Sequence, residues 1–165
     1  MGKTVNNYPI RKNIRLINYD YSSAGYYFVT ICVKNRQKIL CDIVGATAPG
    51  RPHNNDTWPH INLTPLGICV DETIQKTNKN GVIIDKYIIM PNHIHMIIIL
   101  TGDRGRSPLQ NIVRNIKSFM TKYAGFSIWQ RSFHDHIIRN ENEYRRIWKY
   151  IDENPINWIA DKYYT

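Results

Sequence analysis

The sequence predicts an α+β domain, an antiparallel β-sheet of ferredoxin-like (RRM-like) type with helices packed on it. Three observations carry that reading. The chain runs strand, helix, strand, strand, helix, strand, helix, an order that such a sheet accommodates with short connections. Val82 to Met90 and His93 to Leu100 are apolar segments joined only by Pro91-Asn92, a hairpin whose second arm is apolar on both faces and therefore central. Leu109, Ile112, Val113, Ile116, Phe119, Met120 and Tyr123 keep an i, i+3, i+4 stripe that predicts a helix with one face in the core.

The elements follow in order. Tyr26 to Val33 is β-branched and aromatic and comes after Ser22-Ser23-Ala24-Gly25, which predicts a first strand, with a basic arm over residues 1–22 before it and a single domain over 23–165. From 42 to 64, Gly45, Pro49, Gly50, Pro52 and Pro59 interrupt any apolar period, marking an irregular excursion that could fold back as an extra hairpin. Thr64-Pro65 supplies an N-cap and first-turn proline to a helix through Leu66, Cys69, Val70 and Ile74, ending near Asn80-Gly81. Ser107-Pro108-Leu109-Gln110 is a capping box for the next helix, which Gly125 closes. Phe133 to Ile138 reads as a short strand. Asn140, with Glu141 and Glu143, opens a last helix that Pro155 stops after about Asn154; Tyr144, Ile147, Trp148 and Ile151 form the stripe expected to face the sheet.

At 165 residues the chain can bury a core without staples, and Cys32, Cys41 and Cys69 suggest free thiols, neither a disulfide framework nor a cysteine zinc site. The longest apolar run, near 94–100, is too short to span a bilayer, so a soluble, cytoplasmic protein with no membrane partner is expected. Net charge is +9 with pI near 9.5, which points to an anionic partner, nucleic acid first. Basic residues gather at Lys3, Arg11, Lys12 and Arg15, at Lys34, Arg36 and Lys38, at Arg104 and Arg106, and at Arg145, Arg146 and Lys149, with Tyr and Trp among several of these groups.

Two groups of residues point to chemistry. Residues i and i+2 of a strand share a face roughly 7 Å apart, so His93 and His95 can both reach one cation; the alternative is a pair of hydrogen-bonded histidines at a strand end. On the last helix Tyr150 and Asn154 lie one turn apart on one flank of the buried stripe, where a phenol and an amide oxygen can look into a shared site, or serve as a rim tyrosine and a terminal cap. A second His-x-His at His134 and His136 invites a zinc-hydrolase reading, but Asp135 points to the opposite strand face. Tyr144, Tyr163 and Tyr164 are other candidate nucleophiles, none with Asn or Gln four residues later.

The chain resembles the REP-associated tyrosine transposases, relatives of the single-tyrosine HUH transposases of small insertion sequences. The resemblance rests on Asn13-Ile14-Arg15-Leu16, Tyr19-Asp20-Tyr21, Tyr27-Phe28-Val29-Thr30-Ile31-Cys32, Met90-Pro91-Asn92-His93-Ile94-His95, Trp129-Gln130-Arg131-Ser132-Phe133, Asp135-His136-Ile137-Ile138-Arg139 and Tyr150-Ile151-x-x-Asn154-Pro155. Residues 42–64 carry no part of it. It implies an HUH endonuclease fold and a single-stranded DNA endonuclease and strand transferase that cleaves near hairpins through a 5′-phosphotyrosine. It further implies Tyr150 as nucleophile and a divalent cation, Mg²⁺ or Mn²⁺, on His93, His95 and Asn154, with His136 a possible neighbour of the site. The DNA, REP-like hairpin DNA, is expected to be held by Lys3, Arg11, Lys12, Arg15, Arg104, Arg106, Arg131 and Arg146. The resemblance leaves a monomer or a homodimer open and suggests association with the nucleoid. The rival from another class is a binder without catalysis, or a domesticated transposase, gripping single-stranded DNA or RNA hairpins by stacking on a ferredoxin-like sheet.

Overall fold

The computed structural model describes residues 23–45, 59–78, 81–101, 109–160 and 163. The basic arm with Lys3, Arg11, Lys12 and Arg15, the Arg104/Arg106 loop, the Ser107-Pro108 cap and Tyr164 lie outside them. Six strands and three helices follow in the order β1 (Gly25–Cys32), β2 (Cys41–Val44), β3 (His60–Leu63), α1 (Pro65–Gln75), β4 (Val82–Met90), β5 (His93–Leu100), α2 (Leu109–Ala124), β6 (His134–Ile138) and α3 (Glu141–Glu153). The main sheet has the order β4-β5-β1-β6 with every neighbouring pair antiparallel, which is the ferredoxin-like arrangement expected from the sequence.

Alternation along β1 and β5 divides the molecule into three layers. Tyr27, Val29 and Ile31 of β1 and Ile94, Met96 and Ile98 of β5 are fully buried beneath α1 and α2, among Val70, Ile74, Ile112, Val113 and Ile116. The alternate residues face the other way, where Ile97 meets Ile147 and Ile151 of α3, with Phe28 and Ile88 alongside. Strand β5 is apolar on both sides because both sides are covered. Ile94→Ala is expected to lower unfolding free energy by about 2–5 kcal/mol, since the side chain is fully buried within the core cluster and its removal leaves a cavity there. A denaturant titration reads this as a lower midpoint at unchanged slope.

One sequence expectation holds and three shift. The excursion does fold back, as the antiparallel hairpin β2–β3. Helix α1 stops at Gln75, short of Asn80-Gly81, because nothing apolar follows Ile74 in that segment and the Asn78 side chain accepts from the Ile84 amide at 2.6 Å, drawing the chain into β4. On α2 the buried face is Leu109, Ile112, Val113, Ile116 and Met120. Phe119 falls roughly 75° from its centre at 100° per residue, and Tyr123 lies in the last turn; both are more than half exposed. Trp148 of α3 leaves the expected stripe and is 39% exposed, with the Lys86 ammonium over its ring at 3.7 Å. Lys86 is there because β4 carries a bulge: Ile84 pairs with Ile98 and Lys86 with Ile97, leaving Asp85 as the extra residue.

Candidate active site

The hairpin between β4 and β5 builds one wall of the site. Its turn is tied down by the Pro91 carbonyl, which accepts from the Ile39 and Leu40 amides at 2.9 and 3.0 Å, and by the Asn92 carbonyl, which accepts from Val33 at 2.8 Å. The Asn92 amide nitrogen donates to the carbonyls of Arg36 and Tyr163, which fixes the amide's orientation and turns its oxygen to His93 Nδ1 at 2.8 Å. An amide oxygen only accepts, so the His93 proton sits on Nδ1 and Nε2 keeps its lone pair.

Two residues on, His95 faces the same side of the sheet, its ring centroid 4.4 Å from that of His93. Both imidazoles are buried. Thr30 stands directly across from His95 in the β1–β5 register, and its Oγ1 lies 2.8 Å from His95 Nδ1. In the tautomer with Nδ1–H donated to Thr30, His95 Nε2 accepts from the Tyr150 hydroxyl, 3.2 Å away on α3 of the same chain. Phe28 stacks on His95 with centroids 5.2 Å apart and meets Tyr150 edge-on at 6.1 Å. Tyr163 and Trp158 flank His93 at 4.6 and 6.0 Å.

Asn154, buried at the C-cap of α3, joins His95 and Tyr150 in lining one cleft with Phe28, Glu153, Asn157 and Ala160. His95, Tyr150 and Asn154 thus line one cleft, with His93 behind them against its neighbour's ring. Thr30, Asn92, Phe28, Glu153 and Asn157 were not singled out from sequence. Glu153 could have been, since it sits three residues after Tyr150 on the same helix; the partnership of Thr30 with His95 spans 65 residues and needs the register.

The rival residues are engaged elsewhere. The Tyr144 hydroxyl donates to Asp85 Oδ2 at 2.5 Å, and that bond to a carboxylate pushes its pKa up to about 12. Tyr163 is buried against His93. His136 shares the α3 face of the sheet, directly across from Phe28, but its Nε2 goes to Glu143 at 2.7 Å and it does not line the cleft. Glu143 also accepts from the Arg139 amide, which with His136 holds its carboxyl below the usual range. Among the described residues no three His, Cys, Asp or Glu side chains gather as a metal site, so His134, Asp135 and His136 do not form one. The three cysteines are buried free thiols, and burial pushes Cys41 up to about 12.

Arg146 lies on the outer side of α3, 3.8 Å from Glu143. Arg131 lines a groove of about 550 Å³ beside α2 with Arg114, Lys117, Lys122, Trp129 and Phe133, and among the described residues no acidic one lines it. Since α2 and α3 cover opposite faces of the sheet, this groove is not the tyrosine cleft. Lys117 organises its wall: the ammonium donates to the carbonyls of Gln130, Arg131 and Ser132, and burial holds its pKa below the usual lysine value. No described helix is long and apolar enough to cross a membrane.

No family model matches the chain. An uncharacterized protein of Haemophilus influenzae is 34% identical over 94% of this chain and 93% of its own length. A second protein of that organism, provisionally described as a REP-associated tyrosine transposase, is 24% identical over 83% of this chain and 73% of its own. The REP-associated tyrosine transposase of Escherichia coli K12 is 34% identical over 46% of this chain and 47% of its own. Among solved structures, a REP-associated tyrosine transposase bound to a REP hairpin superposes with a TM-score of 0.63 at 23% identity, covering 89% of this chain and 74% of that one, a likeness of fold.

Proposed function

The chain belongs to the REP-associated tyrosine transposases, and from that membership we propose that it nicks and rejoins single-stranded DNA beside hairpins, with Tyr150 as nucleophile. The observation that carries the reading is the 3.2 Å contact of the Tyr150 hydroxyl with His95 Nε2, in a cleft that Asn154 also lines. A free phenol has a pKa of about 10, so attack needs its ionisation favoured, and this contact sets the phenol oxygen against the pair of histidines. The Tyr150 oxygen attacks phosphorus in line, the bond from phosphorus to the 3′ oxygen breaks, and that oxygen leaves with a proton as a free 3′-hydroxyl. The 5′ phosphate is then held as an aryl ester, which a 3′-hydroxyl displaces in the reverse sense without ATP.

His93, His95 and Asn154 would hold the divalent cation that the resemblance implies. Two neutral imidazoles and an amide oxygen suit Mg²⁺ or Mn²⁺ with open positions for substrate, and the outer partners such ligands need, Asn92 and Thr30, stand on both Nδ1 atoms. When bound, such a cation offsets the charge of a phosphate oxygen and orients phosphorus for attack. Thr30→Val is expected to weaken Mn²⁺ binding about 10- to 100-fold, because His95 loses the partner that fixes its tautomer. A Mn²⁺ titration followed by electron paramagnetic resonance measures it, and unchanged affinity would count against His95 as a ligand.

The solved relative is bound to a REP hairpin, and hairpin DNA is the partner proposed here. Phosphates would be gripped by the basic arm, by Arg104 and Arg106, and by the Arg114, Lys122 and Arg131 groove. The test is incubation of the protein with single-stranded hairpin DNA and Mn²⁺ or Mg²⁺, followed by a denaturing gel. A denaturation-resistant protein–DNA adduct is expected; none across a panel of REP-like hairpins would transfer the reading to a binder without catalysis.

A further inference from the structure

The bulge in β4 has placed two consecutive charged residues on one face of the sheet. Ordinary alternation would send Asp85 and Lys86 to opposite sides. Before the bulge Val82 and Ile84 point into the α1/α2 core; after it Tyr87 and Ile89 do, so both Asp85 and Lys86 are left facing α3. Each takes a partner there. Asp85 accepts from the Tyr144 hydroxyl at 2.5 Å, while the Lys86 ammonium pairs with Asp152 at 2.6 Å and lies over the Trp148 ring at 3.7 Å. Tyr144, Trp148 and Asp152 are spaced i, i+4, i+8, a single stripe along α3.

Tyr150 projects from the same helix roughly 160° from Trp148 around the axis. The apolar contacts of Ile147 and Ile151 lie between. Apolar packing is non-directional, and a cylinder resting on it can roll; a directional grip on one flank stops the roll at the other. With a side-chain radius of about 6 Å, a roll of about 20° sweeps a side-chain tip through about 2 Å, enough to break the contact of Tyr150 with His95. We propose that Asp85 and Lys86 are positioning residues: through Tyr144, Trp148 and Asp152 they set the roll of α3 and so the approach of Tyr150 to His95. The inference rests on the reading of Tyr150 as nucleophile.

The test compares the parent with Lys86→Met, Tyr144→Phe, the double variant and Lys86→Arg. Single-turnover adduct formation with Mn²⁺ and a saturating hairpin is measured beside half-saturation and hairpin affinity. Misplacing a reacting group by an ångström costs about 100-fold, so the double variant is expected to lose about 10- to 100-fold in rate with half-saturation within about twofold. Lys86→Arg, which keeps the charge and the stacking, is expected to restore the rate to within about threefold. A rate within about twofold of the parent in the double variant overturns the proposal. So does a joint loss of rate and hairpin affinity that Lys86→Arg does not share out differently, which marks general damage. A second arm needs no activity: 3-fluorotyrosine at position 150 gives a ¹⁹F resonance expected to move toward that of free fluorotyrosine in the folded double variant and to stay put in Lys86→Arg. An unmoved resonance in the double variant overturns the clamp. If the parent forms no adduct, the nucleophile assignment fails by itself, and the fluorine arm still decides the clamp.

Discussion

Tyr150→Phe is expected to abolish covalent capture of DNA, lowering adduct formation by a factor on the order of 10⁴ or more, while hairpin affinity stays within about twofold. The variant removes one oxygen and keeps the ring that meets Phe28 and His95. The side chain is 39% exposed, so little packing is at stake. The loss is therefore chemical, and a denaturing gel with labelled hairpin and Mn²⁺ separates it from a folding defect when the thermal midpoint is read alongside. Persistence of the adduct in Tyr150→Phe would falsify the assignment. Tyr144 could not readily substitute, because its phenol is committed to Asp85 and ionises only near pH 12.

His95→Ala is expected to have the second largest effect, a fall of more than about 100-fold in Mn²⁺ affinity, beyond what loss of an outer partner costs, and a still larger fall in adduct rate. The two fall unequally because His95 is asked to do two things, to serve as a ligand and to pack its ring against that of Tyr150, centroids 5.2 Å apart. His93→Ala removes only the first of these, so its metal affinity and adduct rate should fall together. Comparing the two variants by Mn²⁺ titration and single-turnover assay separates the roles. Equal losses of rate and metal affinity in His95→Ala would leave the phenol contact without a part in the reaction. The His95 variant also strips Thr30 of a buried partner at a cost of about 1–3 kcal/mol, so both assays are run well below the melting range.

What was legible in the chain was what local pattern encodes. The doubly apolar segment after Pro91-Asn92 announced a central strand, and the caps Thr64 and Asn140 appear where they were expected, accepting from Gly67 and Glu143. Helical spacing alone put Tyr150 and Asn154 on one flank of α3, and strand spacing put His93 and His95 on one face. The bulge was not legible, because Val82-Ile83-Ile84 and Ile88-Ile89-Met90 are apolar without alternation and show no change of parity across Asp85. Trp148 was misplaced for the same reason, its partner Lys86 being on the wrong side of an unbroken strand. Thr30 and Asn92 gave no signal, since what they do depends on a strand pairing and on the amides of a turn. Arg131 was read with the DNA-gripping residues, yet only the packing of α2 and α3 on opposite faces shows that its groove and the tyrosine cleft are separate.

The register of β1 against β5 fixes more than a sheet. It sets Thr30 opposite His95 and Cys32 opposite His93, and a slip of β5 by one residue would exchange the faces of its side chains. Ile94 and Met96 would then be stranded where the imidazoles belong, and two imidazoles would be driven into an aliphatic interior with no acceptor for their protons. Misfolding and loss of chemistry are here the same event. A chain that keeps its fold has thereby kept its histidines in line, so the stability of the sheet and the alignment of the site are guarded by the same pairing.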